Sequence, residues 1–437
     1  MNYSQSLFTV RIVINSKIYL YNTFTDRLIA ISVEVDKLIT QYKANILALK
    51  DIHPSLLNTL IQENFFVENK KDEWKEVFSK WETEDNSQEK LSLIINPTLD
   101  CNMHCWYCYE QHNKAAYMSD KTLQSIKNLI ERQTSNPILK GLNIDFFGGE
   151  PLLCYKKQVK PILEKAYVEC QKQNKQLYVS FTTNGYLLSQ KIVDDLNKFS
   201  YWGKVRLQIT LDGNENLHNK VKSSGGIQPT YKKIVSNIMM CVRNNIKVLV
   251  RFNHTDENID SYYDVIEDFA ELTQNERDNI SFAFHKVWQA ADSANLKEKL
   301  KRVIKAFEDA NFNVEISEPL RGTRCYADRQ NFIVINYNGD LYKCTAREFA
   351  PNKREGILTD NGEIHWNNKF KKRMSLKECL PVCHRCVLYP LCHDGCTQNK
   401  LEASYQNDEC PRKYTEEQKI KLLEEKLEHR LKNFKLD

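Results

Sequence analysis

The stretch Cys101-Asn-Met-His-Cys105-Trp-Tyr-Cys108 brings three thiols within eight residues, spaced CxxxCxxC. It follows the apolar run Leu91-Ser-Leu-Ile-Ile-Asn-Pro-Thr-Leu99, which reads as a buried strand. The thiols then lie on a loop at a strand's C-terminal end, where α/β barrels carry their chemistry. Three thiolates can hold three irons of a [4Fe–4S] cube and leave the fourth iron without a protein ligand. A structural zinc site asks for four protein ligands and rarely shows this spacing. A redox pair of Cys105 and Cys108 would leave Cys101 without a task.

Downstream, strand and helix patterns alternate. Candidate strands are Leu91–Pro97, Leu142–Phe147, Leu177–Thr182, Val205–Thr210, Lys247–Asn253 and Ile280–Val287. Candidate helices are Asp120–Arg132, Lys157–Gln173, Ser189–Phe199, Thr230–Asn244, Ser261–Thr273 and Leu296–Ala310. Six β-α repeats imply parallel strands joined by crossover helices. Gly148-Gly149-Glu150-Pro151 closes the second strand. Two glycines let a backbone approach a ligand closely, and a carboxylate suits an ammonium.

CxxxCxxC with Tyr107 before its last cysteine, followed one β-α unit later by GGEP, resembles the radical S-adenosylmethionine (SAM) enzymes. The resemblance implies a partial (β/α)6 barrel in an α/β fold, with Cys101, Cys105 and Cys108 holding the catalytic cluster. It implies that Gly148, Gly149, Glu150 and Pro151 recognise the amino group of the methionine moiety. Thr182-Thr183-Asn184-Gly185 is similar to the family's TTNG, and Leu207-Gln-Ile-Thr-Leu-Asp-Gly213 resembles its QISLDG strand. Thr183, Asn184, Gln208 and Thr210 become cofactor-binding candidates, although Asn184 and Asp212 also suit a cap or turn. His218-Asn-Lys-Val-Lys222 stands where relatives show HDxxR, so Lys222 replaces the arginine that grips the methionine carboxylate. Lysine supplies charge without a bidentate fork. Arg251 and Asn253 are pocket candidates by position alone. Tyr107 is expected to pack near the cluster and adenine, or to serve as a core aromatic. When the cluster is reduced, bound SAM is cleaved to a 5′-deoxyadenosyl radical that takes hydrogen from carbon.

Eight of the fourteen cysteines follow the barrel. Cys325-x13-Gly339-x4-Cys344, then Cys383-x2-Cys386-x5-Cys392-x3-Cys396 and Cys410, resembles the SPASM pattern. That resemblance implies two auxiliary [4Fe–4S] clusters, three in all. Cys325, Cys344 and Cys396 would ligate the first, and Cys383, Cys386, Cys392 and Cys410 the second. Cys379 or a substrate thiolate would complete the first. Asn336 to Cys344 reads as a hairpin turning at Asn338-Gly339. Cys154, Cys170 and Cys241 are scattered and expected to be buried.

Ahead of the barrel, Leu7–Ile14, Lys17–Asn22 and Arg27–Ser32 read as strands. Val35–Tyr42, Pro54–Asn64 and Asp72–Glu84 read as helices, and Glu82 to Glu89 as a linker. The expected division is therefore a winged-helix-like α+β module over 1–88, the barrel over 89–318, SPASM over 319–412 and a helix over 413–437. Relatives use such a module to bind the leader of a precursor peptide by pairing with a strand edge; the alternative is a packing cap.

The chain has 437 residues, 41% hydrophobic and 27% charged, with a net charge of +5. That charge is mild and does not imply nucleic acid. No eighteen-residue apolar run suggests a membrane span, and the N-terminus lacks a signal-peptide pattern. Many cysteines without an export signal suit metal chemistry in the cytoplasm. The resemblance implies an oxidoreductase that matures a ribosomally made (RiPP) precursor peptide by a thioether or carbon–carbon crosslink, fed by a flavodoxin or ferredoxin. The alternative is a sulfatase-maturating, formylglycine-generating enzyme. Such maturases place an aspartate after the equivalent of Cys344, where this chain has Thr345, and begin closer to CxxxCxxC.

Overall fold

Each apolar run of the central segment becomes a strand of one sheet. The computed structural model describes residues 2–200, 203–222, 229–291, 293, 295–316, 320, 322–377, 380–403 and 409–433. Strands β1 (Lys90–Ile95), β2 (Gly141–Phe146), β3 (Gln176–Thr183), β4 (Lys204–Leu211), β5 (Lys247–His254) and β6 (Ile280–Lys286) pair in parallel in sequence order. Alternate residues bury one face, as Leu91, Leu93 and Ile95 show on β1. Helices α1 (Asp120–Thr134), α2 (Lys160–Lys172), α3 (Gln190–Ser200), α4 (Glu215–Val221), α5 (Tyr231–Arg243), α6 (Tyr262–Asp268) and α7 (Leu296–Asp309) lie between or after them. Ile126, Leu129, Ile130, Ile162, Leu163, Val193, Ile234 and Val303 bring their apolar faces into the same core. This is the α/β barrel architecture expected from the β-α alternation.

The helix expected over Ser261–Thr273 ends at Asp268. Thr273 instead opens a separate turn through a capping box with Glu276.

The sheet runs further than the six repeats. A short β7 (Asn313–Val314) extends one edge beside β6. On the other edge β8 (Phe332–Ile335) pairs in parallel with β1, followed antiparallel by β9 (Asp340–Tyr342), β10 (Gly356–Leu358) and β11 (Ile364–Trp366). The β8–β9 hairpin turns at Asn338-Gly339, with Gly339 at φ +83°, a backbone state that glycine adopts without penalty.

The chain divides into two compact units that differ from the expected boundaries. Ser87–Ser317 and Gln330–Lys371 form one; Met1–Asn86, Glu318–Arg329 and Lys372–Asp437 form the other. The segment 319–412 is therefore not a unit of its own. Its β8–β11 part continues the barrel sheet, and its later cysteines join the N-terminal segment.

In that second unit Thr9–Ile14, Lys17–Asn22 and Arg27–Ile31 form an antiparallel sheet, and Tyr3–Gln5 pairs with Phe66–Glu68. Leu20, Ile39, Leu49, Leu57 and Leu60 fill one core, with helices Val33–Tyr42 and Pro54–Gln62 packed on the sheet. Helix Glu416–Asn433 buries Leu423 and Leu427 against Ile12, Ile14, Leu388 and Leu391. The expected linker is a correction: helix Glu73–Asn86 runs through most of it. Asp85 anchors its end, buried against Arg324 at 2.7 Å and Lys377 at 3.2 Å. A buried carboxylate paired twice is held far more firmly than solvent-exposed acids are.

Candidate active site

The cysteine loop leaves β1 through a tied neck. Thr98 donates its hydroxyl to the Ala116 carbonyl at 2.7 Å, Met118 N–H donates to Pro97 at 2.9 Å, and Tyr117 donates to Asp100 at 2.5 Å. Between these ties Cys101, Cys105 and Cys108 are partly buried, and Cys108 N–H closes a turn on the Cys105 carbonyl. Burial pushes all three thiols up, Cys101 to about 12.

The glycine pair is built against that neck. A Cβ on Gly149 would lie 2.0 Å from the Asp100 carbonyl oxygen. Gly148 has φ +101°, and its Cβ would lie 2.5 Å from the Thr98 carbonyl oxygen. Gly149 N–H donates to Thr98, and Glu150 N–H donates to Asp100 at 2.8 Å. Pro151, buried, begins the short turn Pro151–Cys154.

Glu150 is fully buried and its carboxylate is used internally. It accepts from Thr183 Oγ1 at 2.7 Å, Asn184 N–H at 2.8 Å and Leu152 N–H at 3.0 Å. Burial pushes its pKa up against these bonds. Glu150 thereby ties the β2 and β3 ends together. Asn184 does two things. Its Oδ1 accepts from Tyr186 N–H as a turn former, and its Nδ2 donates to Asn102 at 2.8 Å, with Cys101 Sγ at 3.9 Å.

A second network spans β4, β5 and the cysteine loop. Tyr107 donates its hydroxyl to Asp212 at 2.8 Å and accepts from Asn253 Nδ2 at 3.0 Å. Lys222 donates to Thr210 Oγ1 at 2.9 Å and lies 3.5 Å from the Asp212 carboxylate. Burial works against the Lys222 ammonium, but Cys105, Tyr107 and Asp212 outweigh it and raise its pKa. Asp212 is therefore a buried counter-ion; the cap of α4 is Asn214. Gln208 Nε2 donates to Thr182 Oγ1 at 3.3 Å. His218, fully buried, is pushed well below its usual pKa by burial and by Lys222.

The residues 95–269 match the radical SAM superfamily. The chain carries a radical SAM domain and is an enzyme. It is 24% identical to a cysteine-type anaerobic sulfatase-maturating enzyme of Clostridium novyi (strain NT), over 71% of this chain and 89% of that one. Among solved structures, anSMEcpe with bound AdoMet is similar with a TM-score of 0.58 at 19% identity, covering 78% of this chain and 98% of that one. Streptococcus suis SuiB is similar with a TM-score of 0.53 at 15% identity, covering 93% of this chain and 98% of that one. SuiB bound to its precursor peptide SuiA matches over 92% of this chain.

The donors of this radical SAM loop fit a cluster by their chemistry. Three thiols share one loop, and the Lys222 ammonium beside Cys105 favours its thiolate. Among the described residues no three His, Cys, Asp or Glu side chains converge as ligands of one ion do. Ligands of a cube each hold a different iron and share no such point.

For the auxiliary cysteines, Cys383, Cys386, Cys392, Cys396, Cys410 and Cys325 belong to the N-terminal unit and Cys344 to the barrel unit. Cys386 and Cys392 are pushed up by burial and by the neighbouring Cys410. Cys379 lies outside the described residues. Cys154, Cys170 and Cys241 are buried as expected.

Sequence reasoning missed two acids. Glu110 is buried with no hydrogen bond to either oxygen, and burial pushes it to about 7. Asp145, the second-last residue of β2, is pushed to about 6 by burial alone and lines a cavity of about 810 Å³ with Lys204, Lys247 and Glu315. Lys204 and Lys247 begin β4 and β5, so this cavity opens at the end of the barrel away from the cysteine loop. No motif marks either acid, since a lone carboxylate signals nothing until its burial is known.

Proposed function

We propose that this radical SAM enzyme is a SPASM-type maturase that installs a thioether or carbon–carbon crosslink in a ribosomally made precursor peptide. The supporting observation is coverage: the likeness to SuiB takes in 93% of this chain, against 78% for anSMEcpe. Thr345 in place of an acid points the same way. The similarity to the Clostridium novyi sulfatase-maturating enzyme favours formylglycine formation as the second reading.

When bound, the cluster and SAM supply a 5′-deoxyadenosyl radical that removes hydrogen from the substrate. Cys101, Cys105 and Cys108 would hold that cluster. Gly148 and Gly149 keep the GGEP backbone against the cysteine loop, and Glu150 fixes it to Thr183 and Asn184. Thr210, Gln208 and Asn184 present polar groups at or near the strand ends, and Lys222 balances Asp212 and Cys105. Tyr107, pinned by Asp212 and Asn253, holds the last turn of the loop. Cys325, Cys344 and Cys396, with Cys379 or a substrate thiolate, would hold one auxiliary cluster. Cys383, Cys386, Cys392 and Cys410 would hold the other. A flavodoxin or ferredoxin would deliver the electron.

The reaction is tested by the mass of a peptide encoded beside this protein, after anaerobic incubation with SAM and reductant. Loss of two hydrogens is the expected result, with a thiol closed to alkylation in the thioether case. An unchanged peptide, with a sulfatase cysteine converted to an aldehyde, would overturn the reading in favour of the second.

The leader would add to the edge strand Arg27–Ile31, which among the described residues pairs on one side only, with Lys17–Asn22. Hydrogen exchange of the full chain is expected to slow at Arg27–Ile31 when the full precursor is added. Unchanged exchange there would leave the N-terminal segment a packing element only.

A further inference from the structure

Between Cys392 and Cys396, the residues His393, Asp394 and Gly395 all take positive φ, at 56°, 53° and 98°. Glycine reaches that state freely, whereas histidine and aspartate reach it at a cost in stability. The loop is nonetheless held from several sides. His393 N–H donates to the Tyr389 carbonyl at 3.1 Å, and Gly395 N–H donates to the Cys392 carbonyl at 3.4 Å. Asp394 is buried and paired with the buried Lys400 at 2.8 Å. Strain kept in place by such a frame points to a use for the shape it holds.

What the frame fixes is the His393 ring. It is 7% exposed and packs T-shaped on Trp81 of helix Glu73–Asn86, with ring centroids 4.1 Å apart. Both segments belong to the same compact unit. Neither ring nitrogen has a hydrogen-bond partner among the described residues. In either protonation state an imidazole carries at least one N–H, and a buried N–H without an acceptor destabilises the fold. The neighbour in sequence is Cys392, and Trp81 shares a core with Cys383. The orphaned donor therefore sits where an occupied cluster site would bring its acceptors, the sulfurs.

We propose that His393 donates a hydrogen bond to a sulfur of the auxiliary cluster held by Cys383, Cys386, Cys392 and Cys410, and so raises that cluster's reduction potential. The inference rests on the reading of those four cysteines as cluster ligands. Reduction adds negative charge to a cluster, and a donor aimed at sulfur stabilises the added charge. His393 thus tunes the cluster without ligating it, and the positive-φ loop is what aims the ring.

The test uses the reconstituted full chain without SAM, labelled with 15N-histidine, as wild type, H393F, H393Q and the double variant C383A/C386A. Redox titration is followed by electron paramagnetic resonance, and weak nitrogen couplings are read by pulsed methods. The signal lost in C383A/C386A marks the cluster concerned. H393F keeps an aromatic ring against Trp81 and loses both nitrogens, whereas H393Q keeps an amide donor. The expected result is a 15N coupling on that signal in wild type, absent from H393F. The potential should fall in H393F and return toward wild type in H393Q. An N–H turned onto the Trp81 face instead would leave the potential of H393F unchanged, and that result would overturn the proposal, as would a wild type without the coupling. If H393F does not fold, H384Q decides: it removes the other histidine that directly follows a ligand cysteine. A coupling that survives in H384Q supports His393, and one that disappears overturns it. A C383A/C386A chain with wild-type iron content and signals would refute the cluster reading itself, and the proposal with it.

Discussion

Replacing Cys101, Cys105 and Cys108 together with Ala is expected to abolish release of 5′-deoxyadenosine while lowering bound iron by only about a third, one cube of three. The three thiols share one loop with tied ends, and the ties run through Pro97, Thr98, Asp100, Ala116, Tyr117 and Met118 rather than through sulfur. Alanine at the three positions therefore removes donors without untying the loop. It also removes thiols whose burial disfavours their charged form, so the apo-protein should melt no lower than wild type. Iron content and nucleoside release, measured on the same preparation, check both halves. Residual cleavage above background would place the chemistry elsewhere, and loss of nearly all iron would tie the auxiliary cysteines to this loop.

Gly149→Ala is expected to have the second-largest effect, although it adds one methyl group. The new Cβ would meet the Asp100 carbonyl oxygen at 2.0 Å and the Leu99 carbonyl carbon at 2.8 Å. Both are backbone atoms of the neck that launches the cysteine loop, so no side-chain rotation relieves the clash. Forcing a methyl into a packed site costs about 1–3 kcal/mol and shifts the backbone. Here the segment that must shift carries Cys101. G149A should therefore fold, keep its auxiliary iron, and lose most SAM binding and cleavage. Binding and cleavage at wild-type levels would mean that the glycine pair does not fix the cysteine loop.

The difference between these two substitutions bears on what could be read from sequence. The thiols announce themselves by spacing, because a cluster demands that residue type at those intervals. The six barrel strands and most of their helices followed from apolar alternation, and the β8–β9 hairpin from Asn338-Gly339. These are local signals. The pairing of β8 with β1 is not: it joins Phe332–Ile335 to Ser92–Ile95 across most of the barrel, and nothing in either strand names its partner. For that reason the expected separate segment over 319–412 dissolved into two units. Helix Glu73–Asn86 ran through an apparent linker because Asp85 finds Arg324 and Lys377 far along the chain. Glu150 shows the same limit within a motif. Its position was legible, but its tie to Thr183 and Asn184 was not, since those donors come from the end of β3 and the residue after it. Asp212, open to reading as a turn former, has its role set by Tyr107 and Lys222.

The central claim is that the radical generated at this site takes its hydrogen from a peptide. The most direct measurement uses the neighbouring precursor peptide made with fully deuterated side chains and α-carbons. It is incubated anaerobically with the reconstituted enzyme, unlabelled SAM and a reductant. Deuterium is then sought in the released 5′-deoxyadenosine by mass spectrometry. The expected result is one deuterium per nucleoside in step with loss of label from the peptide. Nucleoside released without deuterium, beside a peptide that keeps all its label, would contradict the claim.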